Sequence, residues 1–197
     1  MAQETATVTS IHDLAGRIRD ASAPGSGPNP EQVRDILSEA LATPGDWIDP
    51  AYQQLGEGEY ALYPVYRAED GRCSMLVAVL RSGTPLPVHN HGSWAVIGVY
   101  KGREHETWFR RVDDGSVPGR AQLEVHQTFV NERGTASVVP DGWIHTVVAM
   151  DGQQAVSIHI YGTDIVTQQR SEFDPLTGTE RDLRPPFAEA DAADRDR

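Results

Sequence analysis

From Tyr60 onward the chain is written in short apolar runs separated by glycine-rich turns. YALYPVYRAEDGRCSMLVAVLR reads as two strands around an Asp-Gly turn. WAVIGVY, HETWFRRV, AQLEVHQTFV, TASVVP, HTVVAM and AVSIHIYG follow, divided by KG, DDGS, PDG and MDGQ. Many short runs with glycine-rich turns predict a β-sandwich or jelly roll.

The first 59 residues have a different texture. TVTSIHDLAGRIRDAS places Ile11, Leu14 and Ile18 at helical spacing behind a capping Ser10. After the break APGSGPNP, a second helix is expected with Asn29 as cap, Pro30 at its first position and Val33, Ile36, Leu37 and Leu41 on its apolar face. After Phe173 the chain is polar, and AEADAADRDR has the composition of a disordered end. The organisation expected is a helical segment over 1–59 packing on the barrel, the β-barrel over 60–178, and a flexible polar tail over 179–197.

Composition narrows the function. A net charge of −12 over 197 residues repels phosphate backbones and anionic lipid, so neither nucleic acid nor membrane is expected as a partner. The one cysteine, Cys73, lies in the apolar run CSMLVAVL and reads as a small core residue. With no intrachain disulfide, no basic-then-apolar leader and no apolar run of membrane length, a cytoplasmic protein is expected.

Two segments carry chemistry. In PLPVHNHGSWAVIGVYKG, His89 and His91 are two residues apart, a spacing that turns both imidazoles to one face of a strand. No acidic residue follows until Glu104. Such a pair needs a third ligand from elsewhere to hold a divalent metal, and His145 in GTASVVPDGWIH is the candidate. Five residues separate Gly83 from His89, and six separate Ala95 from Gly102. In the later segment, Gly134, Pro140, Gly142 and His145 are similarly framed.

These two segments resemble the paired motifs of the cupins, which implies a mainly β cupin jelly-roll barrel with N-terminal α-helices. The departures from the pattern are informative. Ala95 stands where many cupins place a glutamate ligand, and Ala149 where the second motif often closes with Asn. Three neutral histidines would leave a metal with its full charge and open positions, which suits an anionic substrate. In AVSIHIYG, Ser157, His159 and Tyr161 share one strand face.

With these residues the chain resembles the thiol dioxygenase branch of the cupins, which includes cysteine dioxygenase and 3-mercaptopropionate dioxygenase. The likeness runs from about Tyr60 to Gly178 and includes FDPLTG. It implies Fe(II) on His89, His91 and His145, with Ni(II) also suited to three histidines. It implies Ser157, His159 and Tyr161 as a catalytic triad, O₂ as co-substrate, and transfer of both oxygen atoms to the sulfur of a small thiol to give a sulfinate. Ala95 also occupies the place of the cysteine that cross-links this tyrosine in animal cysteine dioxygenases.

The residue that holds the substrate carboxylate is open. An ungapped count back from His89 places Tyr63 where cysteine dioxygenases carry an arginine, and Arg67 shares its parity. Relatives that use 3-mercaptopropionate carry an arginine after the triad strand, and Arg170 stands there. A guanidinium can pair with a carboxylate through two hydrogen bonds; a solvated surface arginine is the alternative. Trp94 and Trp143 flank ligand segments and can wall a pocket, while His12, His105 and His126 read as ordinary exposed or capping groups. Two other readings stay open: a three-histidine oxygenase with a different outcome on a cysteine-like thiol in a specialised biosynthetic pathway, and a non-enzymatic metal- or ligand-binding cupin. The oligomeric state expected is a monomer or small homo-oligomer.

Overall fold

The computed structural model describes residues 7–21 and 27–187. Helices α1 (Ile11–Asp20) and α2 (Pro30–Leu41) come first, then a 3₁₀ turn, Pro50–Gln53. The strands are β1 (Tyr60–Arg67), β2 (Ser74–Leu80), β3 (Val88–His89), β4 (Ala95–Lys101), β5 (Arg103–Arg111), β6 (Leu123–Glu132), β7 (Ala136–Val139), β8 (Ile144–Ala149), β9 (Ala155–Tyr161), β10 (Ser171–Asp174) and β11 (Thr179–Asp182). They form two antiparallel sheets, ordered β1-β2-β9-β4-β7 and β11-β10-β3-β8-β5-β6. This is the expected mainly β jelly roll with N-terminal helices.

Alternation along the strands builds two apolar layers. Leu62, Leu76, Leu80, Ile97 and Val147 pack between the sheets. Val77, Val79, Val96, Ile158 and Ile160 face outward and are covered by Leu14, Ile18, Val33 and Leu37 of the helices. Each such side chain removed from water contributes about 1.5–3 kcal/mol. Ser10 and Asn29 cap the helices as expected, accepting from the backbone N–H of Asp13 and of Glu31 and Gln32. Helix α2 sits close on β4 because position 98 is glycine: a Cβ there would lie 2.7 Å from Leu37 and Leu41. Cys73 is buried, and burial pushes its thiol up to about 12, in keeping with a packing role.

The strand list adds two elements that polarity concealed. β10 and β11 form a hairpin that joins the six-stranded sheet through β3. The expected barrel end at Gly178 therefore falls inside a hairpin, and part of the supposed tail, Thr179–Asp182, is strand. One face of this hairpin is solvated, so its strands read as polar sequence. AEADAADRDR, expected to be flexible, lies outside the described residues, as does part of the break before Asn29. Among the described residues, no helix is long and apolar enough to cross a membrane.

Candidate metal centre

The three motif histidines meet inside the barrel. β3 is only two residues long, and His89 is the β3 residue in register with β8, where its partner is His145. His91 lies just beyond β3 and turns to the same interior. The Gly142 turn brings the chain into β8 immediately before His145; its φ of 78° is a left-handed conformation that favours glycine.

His91 Nε2 lies 3.2 Å from His89 Nε2 and 3.2 Å from His145 Nε2. All three ligand atoms lie within 4.8 Å of one another. Metal–imidazole bonds of about 2.1 Å separate adjacent nitrogens by about 3.0 Å in octahedral and about 3.4 Å in tetrahedral geometry. The other ring nitrogens fix the tautomers. His89 Nδ1–H donates to Pro87 O at 2.8 Å, and His145 Nδ1–H donates to Glu106 Oε1 at 2.6 Å. On these two rings the inward Nε2 atoms are therefore lone pairs. Burial first, and then the neighbouring His145, holds His89 and His91 well below the ordinary histidine range. Converging neutral acceptors in a buried site fit a cation, so the trio could hold a metal ion.

The acid missing from position 95 stands one layer back. Ala95 is fully buried and faces Tyr161 across the β4–β9 pairing. Glu106 on β5 holds His145 and accepts from Trp108 Nε1 at 2.5 Å and Asn131 Nδ2 at 2.8 Å. Burial raises its proton affinity, but these hydrogen bonds outweigh burial and hold its pKa below the usual carboxylate value. Trp143 packs edge-on against Trp108, with ring centres 4.3 Å apart, and so buttresses this support. Neither Glu104 nor Glu106 belongs to the two histidine segments. Their signal is the alternation Glu104, Glu106, Trp108 along one face of β5.

Ser157, His159 and Tyr161 form the expected line. Ser157 Oγ lies 3.0 Å from His159 Nε2, and Tyr161 Oη lies 3.2 Å from His159 Nδ1. The Tyr161 ring meets His91 edge-on at 5.2 Å. A cavity of about 30 Å³ beside the cluster is lined by His89, His159, Tyr161, Tyr60, Leu62 and Arg170, among others. That is space for about one water-sized molecule. Leu183 and Pro185 also line it, and with Arg170 they line a groove of about 530 Å³ as well.

The structure separates the carboxylate candidates. Arg170 is only 6% exposed, and its Nε has no hydrogen-bond partner. Burial lowers its pKa, against the pull of Tyr161 and Tyr60. Tyr63 points away from the cavity. It packs in the layer beneath the helices, and its hydroxyl donates to Gln54 O at 2.6 Å. Tyr60 and Leu62, of opposite parity, face the cavity instead. Arg67 is displaced by a bulge between Pro64 and Tyr66, which breaks its parity with Tyr63. Its side chain is about half exposed and donates to Asp164 at 3.0 and 2.5 Å. Trp94 does not wall the cavity either. It packs on the helix-side core and against Gly162, where a Cβ would come 2.3 Å from its Nε1.

No family model matches the chain. It is similar to solved structures of low identity. An oxalate oxidase in complex with the substrate analogue glycolate is 20% identical over 55% of this chain and 53% of its own, with a TM-score of 0.43. A double-stranded β-helix protein of the cupin family from Methanocaldococcus jannaschii is 13% identical over 56% and 86%, with a TM-score of 0.41. A protein with a double-stranded β-helix domain from Klebsiella pneumoniae is 11% identical over 58% and 81%, with a TM-score of 0.45. The chain spans about half the length of the oxalate oxidase that it matches. The strand order and pairing of the two sheets define the fold independently of these likenesses.

Proposed function

We propose that the chain is an Fe(II)-dependent oxygenase that adds both atoms of O₂ to the sulfur of a small carboxylate-bearing thiol, giving a sulfinate. One observation carries this reading. Arg170, buried and with an unpartnered Nε, shares a cavity with His89, His159 and Tyr161. Among the described residues no carboxylate pairs with it. A buried guanidinium without an anion is costly, and a substrate carboxylate would offset that cost.

Bound iron would supply the redox chemistry and lower the proton affinity of a thiol ligand. The chain supplies the rest. Arg170 holds the carboxylate, which fixes the distance from that group to the sulfur. Leu62 and Leu86 present apolar walls that limit water. Tyr161, kept as the phenol because burial raises its pKa, places a hydroxyl at the reacting atoms. His159 orients that hydroxyl and is kept neutral, since burial drives its pKa down to about 3.

The test is O₂ uptake by the iron-loaded protein with matched thiols, 3-mercaptopropionate and cysteine against their analogues without a carboxylate, with products identified by mass spectrometry. The expected result is a sulfinate, formed fastest from a thiol that carries the carboxylate. Absence of turnover with every thiol, with iron shown to be bound, overturns the proposal. Products with a cleaved carbon skeleton would assign the same site to a different oxidation.

A further inference from the structure

A sheet edge is where a β protein can still add a strand, and the ends of the two sheets here are β1, β7, β11 and β6. Three of them are guarded. β1 carries Pro64 and a bulge, and α1 packs against it. β7 and β11 are only four residues long, and β11 is the charged run TERD. β6 is different. It is ten residues long, the longest strand among the described residues, and its outer side pairs with no strand among them. Between Glu124 and Glu132 it reads VHQTFVN, without Asp, Glu, Lys, Arg or Pro. In a chain of net charge −12, this open edge lacks the charges that keep edges apart.

The register with β5 shows what the edge presents. Trp108 pairs with Gln127 and Phe109 with Val125, so His126 is an extra residue, a bulge. It brings Val125 and Val130, five positions apart, to the same face of the sheet. Both are exposed, by 63% and 43%. The carboxylates that flank the stretch are already paired inside the chain. Arg110 holds Glu124 at 3.4 Å, and Arg103 holds Glu132 at 2.9 Å.

We propose that β6 pairs antiparallel with β6 of a second copy of this chain, about a two-fold axis at Thr128, so that the two six-stranded sheets become one. The strand is self-complementary in this register. Thr128 meets its own counterpart and Gln127 meets Phe129. Beyond the bulge Val125 meets Val130 and Glu124 meets Asn131. Each pair joins residues of one face, because both copies carry the bulge. The valines exposed on each copy cover one another, and no carboxylate stands directly opposite a carboxylate. Apolar and Thr–Thr pairs across strands favour such pairing. A patch that meets itself is the geometry of a two-fold dimer. Pairing along this strand supplies about eight to ten backbone hydrogen bonds, the number a typical interface carries. A foreign peptide would satisfy the same backbone groups, but only a copy of β6 accounts for the matched valines and the neutralised ends.

The inner face of the same strand serves the metal centre. Asn131 donates to Glu106 Oε2 at 2.8 Å, and Phe129 packs edge-on against Trp108 with ring centres 4.9 Å apart. A dimer built on β6 therefore fixes the strand that carries these two supports. The seam contains none of the three histidines and no residue that lines the cavity beside them, so the proposal is independent of the thiol reading.

Sedimentation equilibrium of the full-length protein from about 1 to 100 μM tests the proposal. The expected result is a dimer at the upper end of this range. Val125→Lys combined with Val130→Lys puts an ammonium in place of each exposed valine and should leave a monomer throughout. Disulfide trapping reads the register. Directly opposed residues lie about 4.5–5.5 Å apart at Cα, a span that a disulfide fits. Thr128→Cys should cross-link two copies on mild oxidation, since the natural Cys73 is buried. Val130→Cys alone should not cross-link, but should do so when mixed with Val125→Cys. A wild-type protein that is monomeric across the range overturns the proposal. So does a dimer that survives the two lysines or that Thr128→Cys fails to trap. The wild-type mass is decisive against the dimer even if a variant fails to fold.

Discussion

The Glu106 carboxylate stands 2.6 Å from Nδ1 of His145, on the side of the ring away from the other two histidines. It fixes the tautomer that leaves Nε2 a lone pair, and it puts a negative charge one ring away from where a cation would sit. Glu106→Gln keeps the shape and removes the charge. It should weaken metal affinity about 10- to 100-fold, the usual cost of losing such a partner. Competitive titration of the metal-free protein against a chelator measures this. An affinity equal to wild type would mean that Glu106 only packs.

Arg170 and Arg67 make a matched pair for testing substrate binding. Arg170 is buried against the cavity, whereas the Arg67 side chain is 48% exposed and already paired with Asp164. Arg170→Ala should raise KM for a carboxylate-bearing thiol by about 10- to 100-fold, since a charged hydrogen bond contributes about 1.5–3 kcal/mol. Arg67→Ala should leave KM unchanged and cost at most about 1 kcal/mol of stability. Steady-state kinetics of both variants with thiols that have and lack the carboxylate checks the contrast. Equal effects on both thiol classes would remove Arg170 from that role.

Why the sequence places Arg170 beside the cavity but not Arg67 is a matter of local geometry. Glycine-framed turns and strand periodicity are local, so the strand run from Tyr60 and the paired motifs are readable. Arg170 is found because its place is fixed relative to the strand that carries Tyr161. The Tyr63 position depends on counting without gaps through β1, β2 and the irregular segment before β3. The true cavity residues of β1 are Tyr60 and Leu62, and the bulge after Pro64 spoils parity for Arg67. The support behind His145 is a different case. Its alternation on β5 is visible in REHETWF, but nothing local says that this face looks inward rather than to water.

Glu104 should make stability depend on pH in a direction opposite to that of an ordinary paired carboxylate. Its pKa is raised from 4.5 to about 7 in the folded chain, so the folded state holds the proton more tightly than the unfolded one. Its stabilising contribution is full below about pH 4.5 and is lost as pH rises through about 7. Glu104→Gln removes that dependence. Relative to wild type, the variant should gain stability between about pH 5 and 8, by about 3 kcal/mol at most. Urea unfolding of both proteins across this range measures the difference. A difference that is flat with pH would place the carboxyl in water.

The segment Leu183–Phe187 packs against Arg170 and the cavity. Leu183 N–H donates to Arg170 O at 2.9 Å, Leu183 and Pro185 line the cavity, and the Phe187 ring lies 5.9 Å from the Arg170 guanidinium. A cavity of about 30 Å³ is small for a thiol with its carboxylate, and this segment is expected to shift on entry. Phe187 contributes apolar packing and a cation–π contact of about 0.5–2 kcal/mol to the closed arrangement. Phe187→Ala should therefore speed ligand entry by up to about 10-fold and favour longer thiols over short ones. The ratio of kcat/KM for a thiol lengthened by one or two methylenes to that for the parent reads this selectivity. A ratio equal to wild type would show that the segment moves without breaking the Phe187 contact, and that the hinge lies nearer Leu183.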